Sequence, residues 1–389
     1  MRAEAAEADR RLEVREAAAA WQGAGVIEAA RRQAIESAYP DDRVRLGPVF
    51  RILVFGFTVV AVTAALGLVA LLLPRAERGL AGVLVVFGLG LAVLTEVQVG
   101  PLRRAQGGTE SATAFLAVLY LFGGLLWLIA ESAHPGFRGT VTLALALAAV
   151  LLAAAAWRWG YLLFAAGATA CLFLLMARTP IGRALWVAVP LVAAPLLLRA
   201  GGRIGLAPAH RRCCQSSAAV AIGFLYLAVH LGSWDAGLVE EIGGRRAASS
   251  GAPRTLYVLA TALVPVLVVA WGVAARRRLL IDVGLAGILA SLVTLRFYVH
   301  VAPLWIALSA GGAGAIVLAL AVRRYLDSGP RGGRHGLTTR PLFDDPERRS
   351  ALEVAAGMAA FSPAARPVER PGFEPGGGKF GGGGASGSY

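Results

Sequence analysis

The sequence predicts an all-α, polytopic membrane helix bundle of about ten transmembrane helices, preceded by a soluble helical hairpin and followed by a disordered glycine-rich tail. Three observations carry this. Of 389 residues, 57% are hydrophobic and only 16% are charged, against about 25% charged in a soluble domain. Much of the charge is gathered in residues 1–51 and 323–389, and the middle carries little. The middle also divides into apolar runs close to the ~20 residues that cross a bilayer core of ~30 Å.

Taken in order, residues 3–20 (AEAAEADRRLEVREAAAA) are alanine-rich with interleaved charges and favour a helix in water. WQGAGV follows, where Gly23 and Gly25 can supply a tight turn. VIEAARRQAIESAYP predicts a second helix, with Ile27, Ala30, Ala34 and Ala38 on or near one face and Pro40 at its end. So small a unit cannot build a large core. Residues 1–51 are therefore expected to be a cytoplasmic hairpin and linker that dock on something else.

Spans are expected near 52–73, 80–98, 113–131, 139–156, 159–177, 184–198, 216–234, 255–275, 279–300 and 303–322, making 52–322 the membrane domain. Within 184–198, Pro190 and Pro195 remove backbone hydrogen bonds that neighbours must replace. Between 139–156 and 159–177 stands only the interfacial WRW of Trp157, Arg158 and Trp159, compatible with a sharp turn or with one long bent element, so the count stays between nine and eleven. Residues 323–370 are polar, with a short helix over 344–361 begun by Asp344 and Asp345. Residues 371–389 are rich in Gly and Pro and predict disorder.

The net charge of +14 is almost all arginine, Lys379 being the one lysine. With the N-terminus in the cytoplasm, seventeen arginines lie near the inner ends of the spans and eight in the outer loops. This bias predicts both termini inside. It also accounts for the basicity without nucleic acid, for which no basic-aromatic module is present. The arginine and alanine bias points to a bacterial cytoplasmic membrane. The first apolar run, beginning near Ile52 after a long charged leader with no cleavage site, reads as a signal anchor.

Cys171, Cys213 and Cys214 form neither a metal-ligand spacing nor a disulfide framework, and no cofactor or metal is expected. P-loop, GxSxG, HExxH and CxxC motifs are absent. His230, Ser233 and Asp235 fall within six residues, whereas the members of a catalytic triad converge from separate elements. The candidate ligand-binding residues are ionisable groups near the outer ends of spans: Glu131, His230, Asp235, Arg296 and His300. Together they could hold an anionic head group or small solute, or relay protons. The competing account is snorkelling and ordinary ion pairing at span ends. Glu96 and Asp282, near inner ends, are expected to pair with Arg103 and Arg104 and with Arg276, Arg277 and Arg278. Gly56, Gly67, Gly82, Gly88 and Gly90 are expected at close helix contacts.

The leader WQGAGVIEAARRQAIESAYPDD, running into RLGPVFRILVFGFT, resembles a bacterial family of multi-span membrane proteins known only as a domain of unknown function. The resemblance implies a helical hairpin joined to many transmembrane helices and supplies no catalytic residue. The tail FGGGGASGSY is similar to the glycine-rich C-terminus of TPM-domain membrane proteins, with Tyr389 where tryptophan usually closes the chain. That likeness implies a recognised peptide in place of a solvated end. Partner-docking candidates are Trp21 and Ile27 on the leader and Phe380 and Tyr389 on the tail, where glycines give reach and the rings give anchors. The leading function is an interaction or assembly protein of the membrane, with a membrane or cytoplasmic protein partner. The alternatives are a secondary transporter of a small solute, with inverted five-span halves 52–177 and 184–322, and a membrane enzyme acting on outer-face lipid head groups through His230, Arg296 and His300.

Overall fold

The computed structural model describes residues 3–299, leaving out 24, 42, 44–45, 73–76, 105–106, 135, 204, 236–237, 243–252 and 276, and then scattered positions from 309 to 338. The described chain is helical: α1 (Ala3–Gly23), α2 (Ala29–Ala38), α3 (Pro48–Leu72), α4 (Glu77–Val99), α5 (Thr109–Ala133), α6 (Phe137–Trp159), α7 (Leu162–Ala177), α8 (Gly182–Ala200), α9 (Pro208–Val229), α10 (Leu231–Asp235), α11 (Leu238–Ile242), α12 (Arg254–Ala274) and α13 (Arg278–Val299). Two strands of two residues each, β1 (Gly333–Arg334) and β2 (Leu337–Thr338), complete the described elements.

Eight helices, α3 to α6, α8, α9, α12 and α13, are long and apolar enough to cross a membrane. With 16 residues, α7 is shorter, about 24 Å at 1.5 Å per residue. The chain is a multi-pass membrane protein. Each of the first nine predicted spans coincides with one of these helices, and 303–322 falls mostly outside the described residues.

The WRW break separates two helices. Gly160, at φ 75°, caps α6 by donating its N–H to the Ala156 carbonyl at 2.9 Å. This left-handed position suits glycine, which has no Cβ to strain it. α7 then turns back along α6 after Tyr161. α8 runs unbroken through Pro190 and Pro195, with Pro190 buried. α9 stops at Val229, earlier than the predicted 234, and α10 and α11 follow at that end.

Successive helices pair: α4 with α5, α6 with α7, α8 with α9, and α12 with α13. α3 packs on α5, α5 on α6, and α7 on α9. The pairing gives the bundle two ends. The leader end holds the starts of α3, α5, α7, α9 and α13; the far end holds the starts of α4, α6, α8 and α12. Leu66, Leu91, Leu116 and Tyr120 form the core of α3–α5. Phe173, Trp186, Ala221 and Ala228 form that of α7–α9, and Ala194, Ile222, Val268 and Leu280 that of α8, α9, α12 and α13. Between them, Ala114, Ala155, Ala156, Phe164 and Cys213 join α5, α6, α7 and α9.

Glycine sets the closest helix contacts, but mostly not the expected glycines. A Cβ on Gly56, Gly67, Gly82 or Gly90 would meet nothing within 4 Å. A Cβ on Gly88 would lie 2.8 Å from Leu121 Cγ, and one on Gly124 would lie 2.8 Å from the Ala81 carbonyl and 2.9 Å from the Val85 nitrogen. Gly284 on α13 has the same relation to Val269 and Pro265 of α12. In lipid, where tails are as apolar as side chains, close backbone approach is a main source of helix association. Gly124→Ala is therefore expected to destabilise by about 1–3 kcal/mol through overpacking. Gly90→Ala is expected to be neutral or to stabilise by up to ~1 kcal/mol. Thermal unfolding of the two variants in one detergent checks the pair, and equal shifts would contradict the contact assignment.

Candidate functional site

At the leader end, chain segments far apart in sequence are drawn together by a few local devices. The first is the turn before α5. Gly108, at φ 95°, lies so close to α3 that a Cβ there would sit 2.5 Å from the Arg51 carbonyl and 3.2 Å from the Phe55 nitrogen. Only glycine combines that φ with that approach. The Glu110 carboxylate, 1% exposed, turns back on the same loop and accepts the Gly107 N–H at 2.7 Å and the Gly108 N–H at 3.4 Å. Backbone donors thus satisfy a carboxylate that burial would otherwise penalise. One turn further, Thr113 accepts from Thr95 at 2.9 Å between two buried hydroxyls, fixing α5 against α4.

The second device is the end of α6. Arg158 forms an ion pair with Glu96 of α4, and the Trp159 indole N–H donates to the other Glu96 oxygen at 2.9 Å. Arg158, 62 residues away, is thus a partner of Glu96 that the sequence did not suggest, and Arg104 bonds Thr109 at 3.1 Å. Asp282 does pair locally, with Arg278 at 3.4 Å. The third device is α1. Its buried face carries Ala5, Ala8 and Ala18, and it is tied to the start of α9 by a Glu13–Arg211 ion pair and by Arg10 donating to the Gly205 carbonyl at 3.4 Å.

These segments line a half-open cavity of about 820 Å³, within the ~300–1,000 Å³ range of small-ligand sites. Its polar end draws Asp9 from α1, Arg43 from the segment before α3, Arg51 from α3, Glu96 from α4, Arg104 and Glu110 around the α5 turn, Arg158 from α6 and Arg212 from α9. The remainder is apolar and aromatic, running along α5 past Phe115, Leu119 and Phe122 with Phe55 of α3 and Leu152 of α6 beside it. Tyr161, at the junction, has its phenol held well above the ordinary range, first by burial and then by the Glu110 and Asp9 carboxylates. It is neutral at physiological pH and offers a hydroxyl donor. Arrayed guanidinium groups at one end of a half-open apolar volume can hold an anion bearing a hydrocarbon part.

The residues expected at the outer ends lie at the far end of the bundle. Glu131 is half-buried in the last turn of α5 and has a partner of its own. His230 follows the end of α9; its Nε2 contacts the Thr294 hydroxyl of α13 at 2.8 Å and its Nδ1 accepts the Gly232 N–H at 3.1 Å. The structure thus brings His230 to α13 two residues before Arg296. The side chains of Arg296 in α13 and Asp235 in α10 lie outside what is described, as does the whole of His300. Trp21 ends near the α1–α2 turn, 49% exposed, with Ile27 half-buried beyond it. α2 buries no residue, so the expected face of Ala30, Ala34 and Ala38 is open. Phe380 and Tyr389 lie outside the described residues.

Two groups of functional-grade side chains escaped the sequence reading. Arg51, Arg158 and Arg212 entered it only as topology charges or belt residues, Arg104 only as a topology charge and a local partner for Glu96, and Glu110 fell outside the predicted span. The signal that could have found them is the carboxylate after two glycines in GGTE, which marks a structured turn at a span boundary. The other group is at the far end, where Arg183 of α8 reaches Glu240 at 2.6 Å, the Ser233 carbonyl at 2.8 Å and the Tyr257 hydroxyl at 3.1 Å. Among the described residues no group of three or more His, Cys, Asp or Glu is placed to hold a metal ion. No family model, curated protein or solved structure matches the chain.

Proposed function

We propose that this protein is a membrane-embedded binding protein for an anionic amphiphile, taken up at the leader end of the bundle. One observation carries the proposal: a single cavity joins an arginine-rich end to a long apolar and aromatic wall. A polar solute would gain nothing from that wall, and a neutral hydrocarbon nothing from the guanidinium groups. The arginine bias of the sequence supports a cytoplasmic leader end in a bacterial inner membrane, so the ligand would be drawn from the cytoplasmic leaflet. The outer-face enzyme and the transporter with inverted halves have no comparable support. An assembly role remains compatible, because recognition of a lipid and of a protein partner use different surfaces.

The partner surface has its own support in exposed apolar side chains on the leader, Trp21 at 49%, Val26 at 69% and Tyr39 at 43%. These suit docking to another protein, as the likeness of the leader to an uncharacterised membrane family and of the tail to TPM-domain proteins would imply.

The test is native mass spectrometry of the full chain released from native membranes. We expect a retained anionic lipid-like adduct, which is lost in Arg51→Glu. A wild-type spectrum without such adducts, and no thermal stabilisation by any anionic amphiphile, would refute the proposal.

A further inference from the structure

Resting on that reading of the leader-end cavity, we infer that its ligand is a phosphate-headed lipid, with the head among Arg43, Arg51, Arg104 and Arg212 and one chain in a furrow along α5 between α3 and α6.

The charge inventory of the polar end selects the head. Five arginines face three carboxylates, a formal surplus of two positive charges. Arg158 is engaged by Glu96, which also takes the Trp159 N–H, and Glu110 accepts the Gly107 and Gly108 N–H groups on Oε1 and the Thr109 hydroxyl on Oε2. A phosphate monoester carries about −1.5 to −2 at pH 7 and three strong acceptor oxygens. It matches the surplus, and guanidinium forks bind its oxygens in pairs. A single carboxylate would leave one positive charge over. The neutral Tyr161 hydroxyl at the same end adds a donor and no negative charge.

The furrow selects the tail. Phe115, Leu119 and Phe122 recur at i, i+4 and i+7 and form one stripe of α5. Phe55 borders the stripe from α3, and Ala148 and Leu152 from α6. Both flanking helices pack on α5. Phe115 and Leu119 remain 45% and 46% exposed, so the floor is accessible along its side. From Ser111 at the polar end to Phe122 is eleven residues of α5, about 16 Å of rise. That is about half the ~30 Å hydrocarbon core, the depth of one leaflet. A hydrocarbon chain attached to a head held at the arginines would lie along the stripe in its ordinary membrane orientation.

The test compares four probes on the purified full chain in detergent, read by quenching of tryptophan fluorescence and by thermal shift. The probes are a single-chain glycerol phosphate, the fatty acid of the same chain, the single-chain phosphocholine of the same chain, and inorganic phosphate. We expect the glycerol phosphate to bind at least about tenfold more tightly than the others, and Arg51→Gln to weaken it about ten- to a hundredfold, the loss of one charge-assisted contact. Leu152→Trp, or Ala148→Phe should the first variant fold poorly, is expected to fill the furrow and weaken the lipid while sparing inorganic phosphate. Equal binding of the fatty acid would overturn the phosphate head yet leave an anionic-amphiphile site standing. Equal binding of inorganic phosphate would overturn the lipid, and unchanged lipid binding in both furrow variants would overturn the placement of the chain. Equal binding of the phosphocholine, or of no probe, would overturn both this inference and the function on which it rests.

Discussion

Trp186→Ala is expected to destabilise the bundle by about 3–5 kcal/mol, the range for emptying an aromatic core position. Trp186 is fully buried on α8, and its indole N–H donates to the Phe173 carbonyl of α7 at 2.6 Å. Its ring stands edge-on to Phe224 of α9 at 4.6 Å between centroids, and Phe224 stacks on Phe173 at 4.9 Å. One side chain therefore joins three helices, and ring pairs of this kind add about 0.5–1.5 kcal/mol each beyond burial. Trp186→Phe keeps much of the ring contact and loses the hydrogen bond, so a smaller loss of about 1–2 kcal/mol is expected. Thermal unfolding in detergent, with both variants beside wild type, checks the order. An alanine variant as stable as the phenylalanine variant would show that the cluster does not hold α7, α8 and α9 together.

Trp186 also marks the limit of what the sequence discloses. Span length depends on local apolar content, and nine helices follow directly from it; even the sharp turn at WRW had its signal in Gly160. Which helices become neighbours depends on contacts between distant residues, and the contacts that the sequence did not disclose have that origin. Glu96 has Arg103 and Arg104 seven and eight residues away, but its ion pair with Arg158, 62 residues away, forms because the ends of α4 and α6 meet at the leader end. Arg103 is held at φ 48° in the turn after α4, and Arg104 is engaged by Thr109. Helical phase decides the glycines. Ala81, Val85 and Gly88 recur at i, i+4 and i+7, as do Ala117, Leu121 and Gly124, and these two stripes are the α4–α5 contact. Gly82 lies one residue past Ala81 and Gly90 two past Gly88, off that stripe, and a Cβ on either meets nothing within 4 Å. The cavity was the least legible feature. Its polar residues come from seven separate segments, and arginines at span ends carry the same composition signal whether they orient the chain or line a site.

At the far end, Arg183→Ala is expected to cost about 3–5 kcal/mol, because it leaves Glu240 without its ion-pair partner in a largely buried site. The Arg183 and Glu240 side chains are 18% and 12% exposed. The guanidinium spends its donors on three elements at once: Glu240 of α11, the Ser233 carbonyl of α10 and the Tyr257 hydroxyl of α12. Arg183→Lys retains the charge but cannot span these directions, so most of the loss should persist. Glu240→Gln keeps an acceptor facing the arginine and should lose less, about 1–3 kcal/mol. In a double-mutant cycle, Arg183→Ala with Glu240→Ala should fall well short of the sum of the single losses, since the second change removes the stranded carboxylate. Additive losses would mean that the pair is not coupled. Hydrogen exchange adds a second readout: in Arg183→Ala, amides of 238–242 should lose protection before those of α8, because α11 is a five-residue helix held by this contact and by Val239 in the α7–α9 core. The leader-end cavity lies at the opposite end of the bundle and, among the described residues, draws none from α8, α10, α11 or α12. Its affinity for an anionic amphiphile should therefore survive in every variant of this cycle that folds, separating what holds the far end closed from what binds at the leader end.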